Sequence, residues 1–263
     1  MKIVVLVKQT ADTEATIVLG EGGKAIVQSN LKFIINPYDE YAIEEALLVK
    51  QAHPEAEIVA ISFAKPSAKE TLLKALAMGV DRGLVIDDSG LENLDSLGTA
   101  KILTAAIKAE NADLVFCGKA GIDDDNMHVG VMAAELLSWP HVNVLIKLQV
   151  QGKTAIAERE VENGEIEVYE ISLPAVFGAH KALNNPRYAS LPGIMKAKKK
   201  PLEVKTPGDF GLKSEQLLSN SRVFIAHYEL PPKKAPGKIF KDEPLEVMVD
   251  KVVTLLRSEA KVI

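Results

Sequence analysis

The chain is short of several things at once, and each shortage excludes something. Among 263 residues there is one cysteine, Cys117, so no disulfide can close within the chain, which suits a reducing compartment. No apolar run approaches the about 20 residues needed to span a bilayer, so membrane insertion is not expected. The opening MKIVVLVKQT carries only the run Ile3–Val7 before Lys8. That is too short for a secretory leader and lacks the Arg/Ser-rich character of a transit peptide, so a bacterial cytoplasm is the expected location. Neither G-x-G-x-x-G nor G-x-x-x-x-G-K-[ST] occurs, and G-x-S-x-G is also missing. The five histidines are scattered without metal-ligand spacing, and no serine or cysteine has an activating neighbour. Neither a catalytic set nor a metal site is expected.

Charge narrows the class further. The net charge is −5, yet Lys196–Lys200 read KAKKK. A nucleic-acid binder spreads basic charge over a face, so one basic run in an acidic chain does not point to that class. With 47% hydrophobic and 25% charged residues the composition is that of an ordinary globular protein.

What is present is a strand–helix alternation. Ile3–Val7, Ile58–Ser62, Gly83–Ile86 and Leu114–Cys117 are unalternated apolar runs of strand length, as in a parallel sheet buried on both faces. Asn36-Pro37-Tyr38-Asp39 offers a helix N-cap, a proline at the first position and an acid in the first turn. Ser67–Glu70 reads as a capping box, Gly79 as a helix stop, Asp95 as a third helix start, and a fourth helix is expected from near Asp125. Together these predict an α/β, doubly wound, mostly parallel sheet. After Pro140 the runs Val144–Val150, Ala155–Val161 and Ile166–Ile171, separated by Gln151-Gly152-Lys153 and Glu162-Asn163-Gly164, predict an antiparallel hairpin addition. Residues 184–244 hold most of the prolines and many lysines and read as an extended arm. An amphipathic helix from about Pro244 to Ser258 ends the chain, and its stripe Leu245, Val249, Val252, Val253 and Leu256 needs a surface to cover. The expected division is a nucleotide-binding α/β domain over 1–183 and a recognition loop, arm and docking helix over 184–263.

Three segments are candidate sites. Cys117–Asp125 follows a strand and opens a helix, and Gly118 and Gly121 allow close backbone approach to a phosphate. Spacing alone leaves open both nucleotide binding and a plain turn with acidic capping. Asn36–Asp39 reads as an ordinary helix start on its own. Leu191–Met195 beside the lysine run suits either docking on an acidic-rimmed apolar pocket or a solvated linker.

Several segments together resemble one family. Val7-Lys8, Asn36-Pro37-Tyr38, Ala75–Arg82 (ALAMGVDR), Gly118–Asp125 (GKAGIDDD), Leu173–Val176 (LPAV) and Leu183–Lys200 (LNNPRYASLPGIMKAKKK) resemble the beta subunit of electron-transfer flavoproteins, almost end to end and in the same order. The resemblance implies an electron carrier, not an enzyme. It implies a heterodimer with an alpha subunit, FAD held near the subunit boundary, and a structural AMP buried by the beta chain. Electrons would pass from acyl-CoA-type dehydrogenases to a quinone reductase. Carried over position by position, AMP would touch Leu6, Asn36, Pro37, Tyr38, Asp39 and Phe63. It would also touch the loop formed by Ala120, Gly121, Ile122, Asp123, Asp124, Asp125, Asn126, Met127, His128, Val129, Gly130 and Val131. Tyr38 and Thr13 would face the flavin. Leu191, Pro192, Ile194, Met195, Lys196 and Lys199 would form a recognition loop for dehydrogenases.

The chain departs from the family at Ala182, where members carry Arg, at Val129, where AMP-binding members carry Thr, and at Thr13, where others carry an aromatic. In a bifurcating variant, a second FAD replaces AMP and NADH is used. Asp124 and Asn126 favour the AMP type, whereas Val129 leans towards the other. A stand-alone adenine-nucleotide hydrolase or ligase is the remaining alternative, and it would need a phosphate loop that is absent.

Overall fold

The computed structural model describes residues 1–92, 94–234 and 236–263. They divide into two units, Met1–Tyr228 and Glu229–Ile263.

The first unit is built on eleven strands: β1 (Lys2–Leu6), β2 (Gln9–Ala11), β3 (Phe33–Ile35), β4 (Glu57–Phe63), β5 (Arg82–Ile86), β6 (Leu114–Gly118), β7 (His141–Gln151), β8 (Thr154–Glu160), β9 (Ile166–Ser172), β10 (Ala175–Ala179) and β11 (Leu202–Lys205). Nine form one sheet in the order β11-β5-β4-β1-β6-β10-β7-β8-β9, and β2 pairs with β3 separately. From β11 to β7 every neighbour is parallel, and β7-β8-β9 is an antiparallel meander.

Helices α1 (Pro37–Ala52), α2 (Lys69–Met78), α3 (Ser96–Glu110) and α4 (Val129–Leu137) cover the sheet. The side chains of β1 and of Val7 directly after it show how. Ile3, Val5 and Val7 join one core with residues of α1 and α2, while Val4 and Leu6 join a second core with residues of α3 and α4. A strand whose successive side chains both meet apolar layers must be apolar throughout, which is why β1 does not alternate. Two cores on opposite faces of one sheet make the fold doubly wound.

Local signals act much as the sequence suggests. Asp95 caps α3 by accepting from the Gly98 N–H at 2.8 Å, and Gly79, with φ 142°, ends α2. The Asn163-Gly164 turn has positive φ at both residues, matching the twist a tight hairpin needs. Two expectations differ. Ser67 does not cap α2; a 3-10 turn, Pro66–Ala68, leads into the helix, and its geometry leaves Ala68 at the cap position. The fourth helix begins at Val129, not near Asp125. Asp125 and Met127 both have positive φ, so residues 122–128 form a turn that cannot be helical.

Three strands carry little sequence signal. β10, read AVFGA, is weak in strand formers yet fully buried between β6 and β7. β11 lies within the proline- and lysine-rich stretch from 184, which within the first unit also carries α5 (Leu191–Ala197) and α6 (Ser214–Ser219). The short β2 likewise has no signal of its own.

The second unit holds α7 (Leu245–Leu255), prolonged by one π-helical turn to Ala260. Leu245, Val249, Val252 and Leu256 are exposed along it, while Lys238–Glu259 and Lys251–Glu243 pair at 2.8 and 2.6 Å.

Candidate functional site

In an open parallel sheet, ligands bind outside the carboxyl ends of the strands where the winding reverses. Here the chain runs outward from β1 through β4 and β5, then crosses to β6 on the other side of β1. The crevice between the ends of β1 and β6 is therefore the expected place. Lys8 follows β1, Asn36–Asp39 opens α1, and Gly118–Gly121 follows β6.

Asp39 is the centre of this junction. It is 4% exposed. Its Oδ2 accepts from the Lys8 N–H at 2.6 Å, and its Oδ1 accepts from the Gly118 N–H at 2.8 Å and from Asn36 Nδ2 at 3.0 Å. One carboxylate thus ties together β1, β6 and α1. Burial drives its pKa up to about 7, outweighing the donors, which pull it down.

Asn36 stands at the cap position of α1, but its side chain does not cap the helix. Its Nδ2 donates to Ala120 O at 2.9 Å, and its Oδ1 accepts from the Ile122 N–H at 3.1 Å. It fixes the start of the acidic loop. Beyond that anchor, Lys8 Nζ donates to Asp123 Oδ1 at 2.6 Å and Asp124 Oδ2 at 3.0 Å. Burial disfavours the Lys8 ammonium, but these carboxylates more than compensate and raise its pKa. Gly121 is needed in this cradle, since a Cβ there would lie 2.6 Å from Asp123 Oδ1 and 2.8 Å from Lys8 Nζ.

A cleft of about 500 Å³ opens at this place, within the roughly 300–1,000 Å³ usual for small-molecule sites. Of the residues singled out from the sequence, Leu6, Asn36, Asp39 and Phe63 line it. So do Ala120, Gly121, Asp123, Asp124, Asn126, Met127, His128, Val129 and Gly130. Pro37, Tyr38, Ile122, Asp125 and Val131 neighbour these residues in the chain without lining the cleft. Thr13 is exposed beyond β2. Tyr38 instead stacks under Lys119, whose Nζ is 5.1 Å from the ring centre. Sequence reasoning missed Lys8, Ile26, Asp88 and Leu91 among the lining residues, and Ile225 and Tyr228 from the far end of the unit's chain. Only Lys8 carried a usable signal, as a cation directly after a buried strand. Among the described residues no group of three or more His, Cys, Asp or Glu side chains is placed to hold a metal.

A family profile described as "Electron transfer flavoprotein domain" matches residues 24–209. A protein of Bacillus subtilis called "Electron transfer flavoprotein subunit beta" is 42% identical over the whole of both chains. A protein of the same description from Syntrophomonas wolfei is 38% identical, covering all of this chain and 98% of its own. Another from Mus musculus is 37% identical over 96% of each.

The chain belongs to the electron transfer flavoprotein beta-subunit family. Members are electron carriers. Cys117, near the end of β6, is buried, and its thiol is pushed up to about 12, chiefly by that burial.

The electron transfer flavoprotein motif LNNPRYASLPGIMKAKKK also acquires a physical reading. Asn184 Nδ2 donates to Tyr41 O at 3.1 Å and Glu45 Oε2 at 2.9 Å. Arg187 grips Glu44 with two bonds of 2.7 and 2.8 Å. Burial pushes Glu44 upward, but the guanidinium prevails and holds it below its ordinary value. The segment is thereby clamped to α1. Ser190 then caps α5, and Gly193 lets the helix approach α2 so closely that a Cβ would stand 2.5 Å from Ala77 O. Lys200 Nζ donates to Leu76 O in the last turn of α2 and to Val80 O just beyond it. With one side fixed, α5 presents Leu191 (79% exposed), Ile194, Met195 (72%) and the exposed Pro192 and Lys196 outward, and Lys199 is exposed in the turn that follows. No helix of the described residues is long and apolar enough to cross a membrane.

Proposed function

We propose that the chain pairs with an alpha subunit as one half of a heterodimeric electron-transfer flavoprotein. In this reading it buries AMP in the cleft as a structural ligand and helps hold FAD at the subunit boundary. The complex takes electrons from acyl-CoA-type dehydrogenases and delivers them to a quinone reductase. FAD supplies the redox chemistry; this chain's residues bind and orient.

The observation that carries the reading is the junction at the winding reversal, where Asp39 and Asn36 fix a glycine-containing loop against the start of α4. The residues present fit a nucleotide. Gly121 and Gly130 sit where a Cβ would collide with neighbours, so backbone lines the cleft, and the free N–H groups at the start of α4 suit a phosphate. Leu6, Phe63 and Leu91 give apolar walls for a base. The arm unit, with the exposed stripe of α7, supplies a face for the alpha subunit, and the outward side of α5 supplies one for the dehydrogenase. The domain division that accompanies this reading assigns nucleotide binding to 1–183, joined at the cleft by Ile225 and Tyr228, and partner contacts to the rest of 184–263.

AMP is favoured over a second FAD by Asp124. Its carboxylate lies on the cleft rim, clasped by Lys8, and Asn126 donates its N–H to Asp124 Oδ1 at 3.2 Å. A bulky, ordered side chain there restricts room for a second isoalloxazine. The test is to co-purify the chain with its alpha partner, denature the complex and quantify the released nucleotides by mass spectrometry. Equimolar AMP and FAD support the reading. FAD in excess without AMP means the bifurcating type, and the absence of both nucleotides or of the partner defeats it.

A further inference from the structure

The cleft poses an electrostatic problem for any phosphate ester. Its lining includes the carboxylates of Asp39, Asp88, Glu92, Asp123 and Asp124, against the ammonium groups of Lys8 and Lys119 alone. Lys119 is drawn towards the Tyr38 ring. Only Lys8 among the lining cations pairs with the loop acids, at 2.6 and 3.0 Å, and all three side chains remain about two-fifths exposed. An ammonium has three N–H donors. Two of them are given to Asp123 and Asp124, which leaves one for a third acceptor.

We infer that Lys8 sets the charge selectivity of the cleft. By drawing the Asp123 and Asp124 carboxylates onto itself it cancels much of their field, and its remaining donor is left for the ligand's phosphate. Without Lys8 the same loop would present two uncompensated carboxylates to a dianion. Lys8 is therefore a positioning and specificity residue that discriminates a nucleoside monophosphate from the bare nucleoside. Its backbone supports the same function independently, since the Lys8 N–H is held by Asp39 and its carbonyl accepts from the Asn36 N–H at 2.9 Å. The ammonium is thus projected from a fixed point. This inference rests on the cleft being a nucleotide site.

The test compares AMP with adenosine by equilibrium dialysis on the nucleotide-depleted complex with its alpha subunit, at low and high salt. A charge-assisted contact at a partly exposed site corresponds to about tenfold in affinity or more. Lys8→Met is expected to weaken AMP by about tenfold while changing adenosine less than twofold, with the AMP loss shrinking at high salt. Lys8→Arg should restore most of the AMP preference. Asp124→Asn added to Lys8→Met should also recover part of it by removing one of the repelling carboxylates. If AMP and adenosine weaken together, Lys8 is only a scaffold and the inference fails. It fails too if neither ligand's affinity changes. Should Lys8→Met not fold, Asp124→Asn alone decides: it must raise the AMP-to-adenosine ratio, and an unchanged or lower ratio overturns the inference. A wild-type complex that binds neither ligand defeats the nucleotide reading itself, which separates that failure from this one.

Discussion

Replacing Asp39 by alanine strips the acceptor from three donors at once: the Lys8 and Gly118 N–H groups and Asn36 Nδ2. A buried donor left without a partner costs about 1–3 kcal/mol. Water from the adjoining cleft can reach part of the junction, so the lower half of the summed range applies, and Asp39→Ala should destabilise the chain by about 3–6 kcal/mol. Asp39→Asn keeps one acceptor oxygen and should cost less, about 1–3 kcal/mol at acid pH. The two variants also separate hydrogen bonding from charge. The carboxyl titrates near about 7 in the fold against its ordinary 3.8, so between those values the native state holds more protons than the unfolded chain. Its stabilising contribution is complete below about pH 3.8 and is lost as pH rises through about 7. Asparagine has no such titration. Wild type should therefore lose its advantage over Asp39→Asn as pH rises across that window and become the less stable of the two, the total change being on the order of 4 kcal/mol. Urea unfolding of wild type and both variants, followed by circular dichroism from about pH 4 to about pH 8, measures all of this. A loss below about 1 kcal/mol for Asp39→Ala would refute the view of Asp39 as the tie between β1, β6 and α1. A wild-type advantage over Asp39→Asn that grows with pH would refute the buried-charge account.

Other perturbations test the remaining elements. Leu191→Ala removes a side chain that is 79% exposed, so stability should change by less than about 0.5 kcal/mol. Stopped-flow reduction of the complex by a dehydrogenase should nonetheless slow by about tenfold or more if Leu191 anchors the partner. Lys200→Met should cost about 1–2 kcal/mol in unfolding experiments, through loss of its bonds to the Leu76 and Val80 carbonyls. Lys199→Met should leave stability unchanged but weaken docking in a salt-dependent way; equal effects of the two on stability would contradict the division of the lysine run. Cys117, its thiol raised to about 12 chiefly by burial, should resist alkylation in the native complex at about pH 8 and react only on unfolding, as read by intact mass; fast native labelling would show that the thiol is accessible.

What the sequence determined by itself was everything written in short-range code. The β-branched runs around Val4, Val59 and Val115 announced strands buried on both faces, because such strands cannot alternate. Pro37, Asp95 and Gly79 marked helix boundaries through conformational preferences that act within one turn. The motif stretch Leu183–Lys200 disclosed the family, and the loop 118–125 could be placed at a strand's carboxyl end. What only the tertiary structure decided was which distant segments meet. The weak segment AVFGA became the buried strand β10, since the strands beside it and not its own propensity supply its stability. Nor did the lysine- and proline-rich surroundings of Leu202–Lys205 hint that these four residues would complete the sheet edge beside β5. Asn36 has the composition of a helix cap, yet its side chain turns to Ala120 and Ile122, and Lys8 turns to Asp123 and Asp124. A side chain's hydrogen-bond partners depend on what the fold brings within about 3 Å. No local pattern specifies that for residues separated by most of a domain.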